Sequence, residues 1–279
     1  MGSHWSRMKE TRMRGLLALV TFATVVCLLL PASARAVDLQ VYGGLAVRQP
    51  LTEIAKLYEQ RTGVKVSVVI GPPRELVTRM AESKVGDVFV PGSYWAIDLA
   101  RSKGIVAKTE GETVGYLVPC IAVEKGNPQS VRSLKDLARP GLRVAIRSDT
   151  EGPEKPCLGD ITTSALKSAG IAEKVKPNIV ASIDKCDQVP AALRDKKADA
   201  VICWTFFAVR FPDDMDAVSL PEAAAKARPI PAAVTACAAD PAVARAFVTF
   251  LRSPSAQRVF VKRGYRGIPP KAEQAHPKE

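Results

Sequence analysis

Two short turns carry the residue types best suited to hold an anion. The first, Gly43-Gly-Leu-Ala46, is followed by Arg48, and the second, Gly71-Pro-Pro-Arg74, ends on an arginine. Each closes an apolar extended run, Leu39–Gly44 or Val64–Ile70, and opens a helical pattern, so unpaired backbone N–H groups and the helix dipole meet at one spot. A guanidinium beside such a turn adds a planar fork of donors that suits an oxyanion. The opposing reading of Arg48 and Arg74 is a first-turn or surface arginine, in a chain with 40 Lys and Arg against 28 Asp and Glu.

Five cysteines lie beyond residue 36: Cys120, Cys157, Cys186, Cys203 and Cys237. An odd number in an oxidising compartment leaves at least one thiol unpaired or intermolecular. Cys120 and Cys237 sit on two long extended stretches that place them to face each other, as a disulfide or as two buried thiols. The other three admit two readings. Converging on one cleft, Cys157, Cys186 and Cys203 would take a soft metal or metalloid. Otherwise a Cys157–Cys186 or Cys186–Cys203 disulfide fastens the fold and one thiol is buried. His4 and His276 lie at the extremes of the chain, which argues against a Cys/His zinc site and against Cys/His nucleophilic catalysis. There is no Gly-x-Ser-x-Gly elbow and no Gly-x-x-x-x-Gly-Lys-Ser/Thr phosphate loop. Asp149, Asp160 and Asp187 stand at helix starts, where capping alone accounts for a carboxylate. The chain reads as a binding protein and not an enzyme, with no cofactor.

Such turns need a sheet to hold them. Strand and helix patterns alternate from Val37 to Gly92 and continue with a helix near Ser93–Lys103, a strand Tyr116–Val123, a short helix Ser133–Ala138 and a strand Leu142–Ile146. A helix after Cys157, a strand Asn178–Ala181, a helix Asp187–Lys197 and a strand Asp199–Cys203 follow, and Phe211-Pro-Asp-Asp214 marks a break. The pattern is α/β with mainly parallel sheets. Two apolar extended stretches, Val114–Val123 and Ile230–Cys237, carry prolines, which suits edge or crossover positions better than a central strand. They read as a paired hinge between two lobes, residues 37–118 with 233–279 in one and 119–232 in the other.

The first 36 residues set the expected compartment. Lys9, Arg12 and Arg14 precede an apolar run from Leu16 to Leu30, and Pro31-Ala-Ser-Ala-Arg-Ala36 ends in small residues, as in a secretory signal peptide cleaved after Ala36. The run falls short of the roughly 20 residues that a spanning helix needs. Val25 and Val26 precede Cys27, where a lipoprotein signal would want a small residue, so no lipid anchor is expected. Cleavage takes the formal net charge from +12 to about +8, with five basic and one acidic residue removed. The remaining charge is dispersed, without basic runs or aromatic-basic interleaving, which argues against nucleic acid and suits the steering of a small anion.

Taken together, Val41-Tyr-Gly-Gly-Leu-Ala-Val-Arg-Gln-Pro-Leu-Thr-Glu-Ile-Ala55, Tyr58–Val66, Gly86-Asp-Val-Phe-Val-Pro-Gly92, Val123–Pro128, Ala198-Asp-Ala-Val-Ile202 and Phe247–Pro254 resemble the periplasmic solute-binding proteins of ABC importers. The resemblance is to the two-lobed, two-crossover class and, within it, the molybdate-binding branch. It implies a two-lobed periplasmic-binding-protein fold with two crossover hinge strands. It implies capture of a small molybdate- or tungstate-like oxyanion by a monomer, and delivery to the membrane subunits of an importer. In that family backbone N–H groups and hydroxyls hold a tetrahedral oxyanion, two of the hydroxyls being serines of the first two turns. Here Ala46 stands where the first serine is expected and Pro73 near the second, so two hydroxyls are missing and Pro73 lacks even an N–H.

Carried over residue by residue, the resemblance implies ligand contacts from Gly44, Ala46, Arg48, Pro73 and Arg74 in the first lobe. In the second it implies Ser148 and Cys157 of the turn 147–159, Val189 at a helix start, and Trp204 where the family tends to have tyrosine. Trp204 either offers its indole N–H or packs the cleft wall. Two alternatives stand beside the oxyanion reading: a receptor for a thiophilic metal through Cys157, Cys186 and Cys203, and a sensory protein of the same fold serving a membrane kinase.

Overall fold

The computed structural model describes residues 38–147, 159–183, 188–220 and 227–269. The first part of the chain forms β1 (Leu39–Gly44), α1 (Arg48–Thr62), β2 (Val66–Gly71), α2 (Pro73–Ser83), β3 (Val88–Val90), α3 (Tyr94–Ser102) and β4 (Glu112–Leu117). There follow β5 (Pro119–Glu124), β6 (Val144–Arg147), α4 (Gly159–Ser168), α5 (Ala172–Val175), β7 (Ile179–Ile183), α6 (Val189–Arg194), β8 (Ala200–Trp204), α7 (Thr205–Arg210) and β9 (Met215–Ser219). The last described elements are β10 (Arg228–Val234), α8 (Pro241–Leu251) and α9 (Pro254–Lys262).

These strands make two sheets on one plan. In the first, β2 and β3 flank β1 in parallel, β10 runs antiparallel beside β3, and β4 closes the edge, giving β2-β1-β3-β10-β4. In the second, β7 and β8 flank β6 in parallel, β5 runs antiparallel beside β8, and β9 closes the edge, giving β7-β6-β8-β5-β9. The central parallel strands are apolar on both sides because both faces are covered. In β1, Leu39 and Val41 enter the core that holds Ile54 and Phe247, while Tyr42 enters the one that holds Met80 and Ile97. Tyr58 of α1 meets Phe247 and Phe250 of α8 edge-on, with ring centroids 5.1 Å apart in each pair.

A matching aspartate clasps the start of each parallel trio. The Gln40 N–H donates to Asp87 Oδ2 (2.7 Å) and the Asp87 N–H returns to Gln40 O (2.8 Å). In the second sheet the Arg143 N–H donates to Asp199 Oδ2 (2.9 Å) and the Asp199 N–H returns to Arg143 O (2.7 Å). Asp87 also accepts from the Ala239 N–H (2.8 Å), while Asp199 is forked by the Arg143 guanidinium at 2.6 and 3.1 Å. Those guanidinium hydrogen bonds hold the Asp199 carboxyl below the usual carboxylate range. This explains the chemical content of Gly86-Asp87 and Ala198-Asp199: both carboxylates join strands that are distant in sequence.

Several sequence expectations change. Tyr116–Val123 is not one strand, because the chain breaks at Val118 and passes from β4 in the first sheet to β5 in the second. The return passes between Ser219 and Arg228, and all of β10 belongs to the first sheet. Val114–Val123 supplies part of the edge strand β4 before it crosses, but the prolines themselves fall in the interior strands β5 and β10. Pro119 opens β5, where no ladder N–H is needed, and Pro231 sits at a register shift in β10. Cys237 does not face Cys120, since it lies beyond β10 with its thiol 3.8 Å from Met80 O, whereas Cys120 lies in the second sheet opposite Cys203. β9 and α7 have no counterpart in the sequence reading.

Candidate functional site

In both sheets the parallel strands run into helices at their carboxyl ends, where α/β sheets take ligands. At the first sheet this edge is formed by Gly44, Gly71 and Val90. Gly44 enters a 3-10 turn, Leu45–Val47, which leads into α1. Pro91 and Gly92 connect β3 to the start of α3, and Gly92 takes φ +90°. The two turns touch: a β-carbon on Gly44 would stand 2.0 Å from Pro91 O, and one on Gly92 would lie 3.6 Å from Ala46 Cβ.

The helix starts along this edge are uncapped. Gly44, Val47, Pro72 and Ser93 give no side-chain cap to the turns they precede, nor do Gln188 and Trp204 at the second sheet. Elsewhere Asp240 and Ser253 cap α8 and α9 with their side chains, and at the short turn Leu134–Ala138 the Asp136 carboxylate accepts from the Ser133 N–H. An uncapped helix start keeps N–H donors and positive dipole for something else. At the β1 turn these are the Leu45 and Ala46 amides, since the Arg48 N–H already donates to Leu45 O. Pro73 occupies the first position of α2 and brings no N–H to this edge.

Side chains complete this half of the site. Arg48 is exposed, whereas Arg74 is half-buried with its guanidinium 5.1 Å from the centroid of the Trp95 ring. That stack joins the starts of α2 and α3. Tyr94 is turned to the sheet edge, its hydroxyl donating to Gly111 O (3.1 Å) and paired with Thr113 Oγ1 (3.0 Å). Ser93 was absent from the sequence reading. A serine between Gly92 and a helix looks like an ordinary cap, and only the structure shows that its hydroxyl does not cap α3.

At the second sheet, Val189 opens α6 and is buried, and Trp204 ends β8 with 1% exposure. Ser148, Cys157 and Cys186 lie outside the described residues. The Trp204 indole N–H and the hydroxyl of Thr162, on α4, are buried and have no hydrogen-bond partner among the described residues. Thr162 also escaped the sequence reading, because nothing in a helical Thr-Thr-Ser run marks one hydroxyl as unsatisfied. Among the described residues no group of three His, Cys, Asp or Glu side chains could hold a metal ion.

A short segment after α9 touches both halves. The Tyr265 hydroxyl donates to Ala46 O, and its ring stacks on Phe206 of α7 at 5.3 Å with the planes 4° apart. Thr205, beside Trp204, donates its hydroxyl to Gly264 O. Arg266 exchanges both backbone hydrogen bonds with Tyr116, at 2.8 and 3.0 Å, just before the crossing at Val118. Burial raises the Tyr265 phenol above its ordinary range, so it remains a donor throughout physiological pH. Tyr265→Phe keeps the stack and loses the hydrogen bond. We expect a stability loss of about 1 kcal/mol in urea titration, and no measurable loss would mean that Ala46 O is satisfied otherwise.

Comparison with known proteins agrees with this architecture. The chain is 25% identical over 228 residues to the molybdate-binding protein ModA of Mycobacterium bovis, covering 81% of this chain and 83% of that protein. Its fold is like that of PEB3 of Campylobacter jejuni, solved with bound L-phospholactate, at TM-score 0.68 and 23% identity, covering 83% of this chain and 100% of that one. It is also like that of the sulfate-binding protein SubI of Mycobacterium tuberculosis, at TM-score 0.67 and 17% identity, covering 84% and 88%. The family described as bacterial extracellular solute-binding proteins matches residues 39–266, the span that holds both sheets and the bridging segment, and the chain belongs to that family.

Proposed function

We propose that this protein captures a small tetrahedral oxyanion outside the cytoplasm and delivers it to the membrane subunits of an ABC importer. The observation that carries this reading is the run of uncapped helix starts along the carboxyl edges of both sheets. Backbone N–H groups there bind an anion without bringing a countercharge of their own. Arg74 and Arg48 add guanidinium donors, Ser93 a hydroxyl, and Trp204 and Thr162 buried donors in need of an acceptor. Molybdate, sulfate and phospholactate, named for the related proteins, share a tetrahedral oxyanion group. Ala46 and Pro73 remove hydroxyls expected for molybdate, so the proposal is for the class and not for that anion.

Capture proceeds by closure. The chain crosses between the sheets at Val118 and between Ser219 and Arg228. Bending there would bring the two carboxyl edges together. A ligand touching both edges only in the closed form shifts the population toward it. Trp204 would supply its indole N–H from one side while the Ala46 and Arg74 turns supply theirs from the other.

Thermal shift with molybdate, tungstate, sulfate and phosphate tests the reading. A cognate anion at a hundredfold its Kd should stabilise the fold by about 2.7 kcal/mol. If none of the four raises Tm and isothermal titration shows no heat, the oxyanion reading fails. Arg74→Ala should weaken binding of whichever anion is active by about 2 kcal/mol, roughly 30-fold. Unchanged affinity would remove Arg74 from the site.

A further inference from the structure

We infer that Cys120 and Cys203 form a disulfide that ties β5 to β8 behind Trp204. The two residues are register partners on neighbouring antiparallel strands, and their sulfur atoms lie 3.9 Å apart. Directly opposed residues of such a pair point to the same face, with α-carbons about 4.5 to 5.5 Å apart, inside the range that a disulfide spans. Bond formation therefore requires side-chain rotation and no shift of either strand. Both residues are fully buried, at 0% exposure, in the core shared by the two sheets.

The chemistry is thiol–disulfide exchange with a donor disulfide R–S–S–R, either glutathione disulfide or a protein oxidant. One cysteine thiolate attacks the donor, forming a mixed disulfide and releasing one R–SH. The second thiolate then displaces the remaining R–S⁻, which leaves as R–SH. The two cysteines are oxidised by two electrons, and the donor carries those electrons and both protons away as two thiols. Because the partners meet only in the β5–β8 ladder and are buried there, exchange belongs to folding or to transient opening, and the closed sheet shields the bond from reductant.

The bond would have a local mechanical effect. Pro119, directly after the crossing at Val118, is the register partner of Trp204. A link at the next rung holds β5 and Trp204 as one body and leaves the bending to Val118. The inference rests on the export reading for its oxidising compartment, but its test involves no ligand.

Trypsin separates all five cysteines into residues 109–125, 148–167, 186–194, 198–210 and 227–245. The full chain, exported and purified without reductant, is denatured in N-ethylmaleimide, digested and mapped by mass spectrometry. The expected result is a 109–125/198–210 linked pair that reductant splits into two. Both peptides appearing fully alkylated, even after incubation with glutathione disulfide, would overturn the inference, as would linkage of 198–210 to 148–167 or 186–194. As a second readout, unfolding in dithiothreitol and refolding with the reductant present should lower the Tm of the parent protein more than that of Cys120→Ala treated alike, and equal lowering contradicts the proposal. Failure to bind any oxyanion leaves this map unchanged, and a chain with unlinked Cys120 and Cys203 can still bind an anion, so the two ideas fail separately.

Discussion

Gly44→Ala should cost on the order of 3 kcal/mol of folding stability and most of the ligand affinity. The new β-carbon would stand 2.0 Å from Pro91 O and 2.8 Å from Pro91 C. Both contacts are to backbone, so no rotamer can relieve them. The turn after β1 and the turn after β3 must separate, and the Leu45 and Ala46 amides move with the first. Gly63→Ala is the matched control. Gly63 caps α1 at φ +75° but has open space around it, so it loses only about 1 kcal/mol through the left-handed backbone. Urea denaturation ranks the two variants, and a Gly44→Ala loss no larger than that of Gly63→Ala would mean the turns do not pack as described.

Asp87→Ala should cost about 3 kcal/mol for a different reason. Asp87 is 6% exposed, and its carboxylate accepts from the N–H groups of Gln40 and Ala239, 47 and 152 residues away in sequence. Alanine leaves both donors without an acceptor at the start of the parallel trio. Asp87→Asn retains one acceptor oxygen, so its loss should fall between those of alanine and the parent. A chemical denaturation midpoint in which alanine and asparagine lie together would show that charge, and not the number of acceptors, makes the clasp. An alanine cost under about 1 kcal/mol would show that the clasp contributes little.

The alternation of strand and helix was legible because it is local, as was the pairing of a glycine-ended strand with a helix start at Gly44 and Gly71. What depends on distant partners was not. Val114–Val123 reads as a hinge with its lobe boundary after residue 118, but its unbroken apolar run hides that it is two strands, β4 and β5, of different sheets. Cys120 was paired with Cys237 because both lie on extended stretches. Only the sheet assignment of β5 and β8 brings Cys203 opposite Cys120. β9 was missed because its alternation, Met-Asp-Ala-Val-Ser, is short and follows a turn. On the candidate site, the resemblance directed attention to Ala46, Pro73, Arg74 and Trp204. It did not direct attention to Ser93 or Thr162, whose interest lies in bonds that are not made.

The two aspartate clasps stand at the amino ends of the strands, and the anion-facing turns stand at the carboxyl ends. Each sheet thus has a rim that secures the fold and an opposite rim that meets the solute, separated by the length of the strands. Substitutions at Ala46, Pro73 or Ser93 fall on the second rim and leave Asp87 and Asp199 untouched. Such a scaffold is evolvable in its cargo: a lineage can lose or regain a hydroxyl on the solute rim, changing what it captures, without having to learn to fold again.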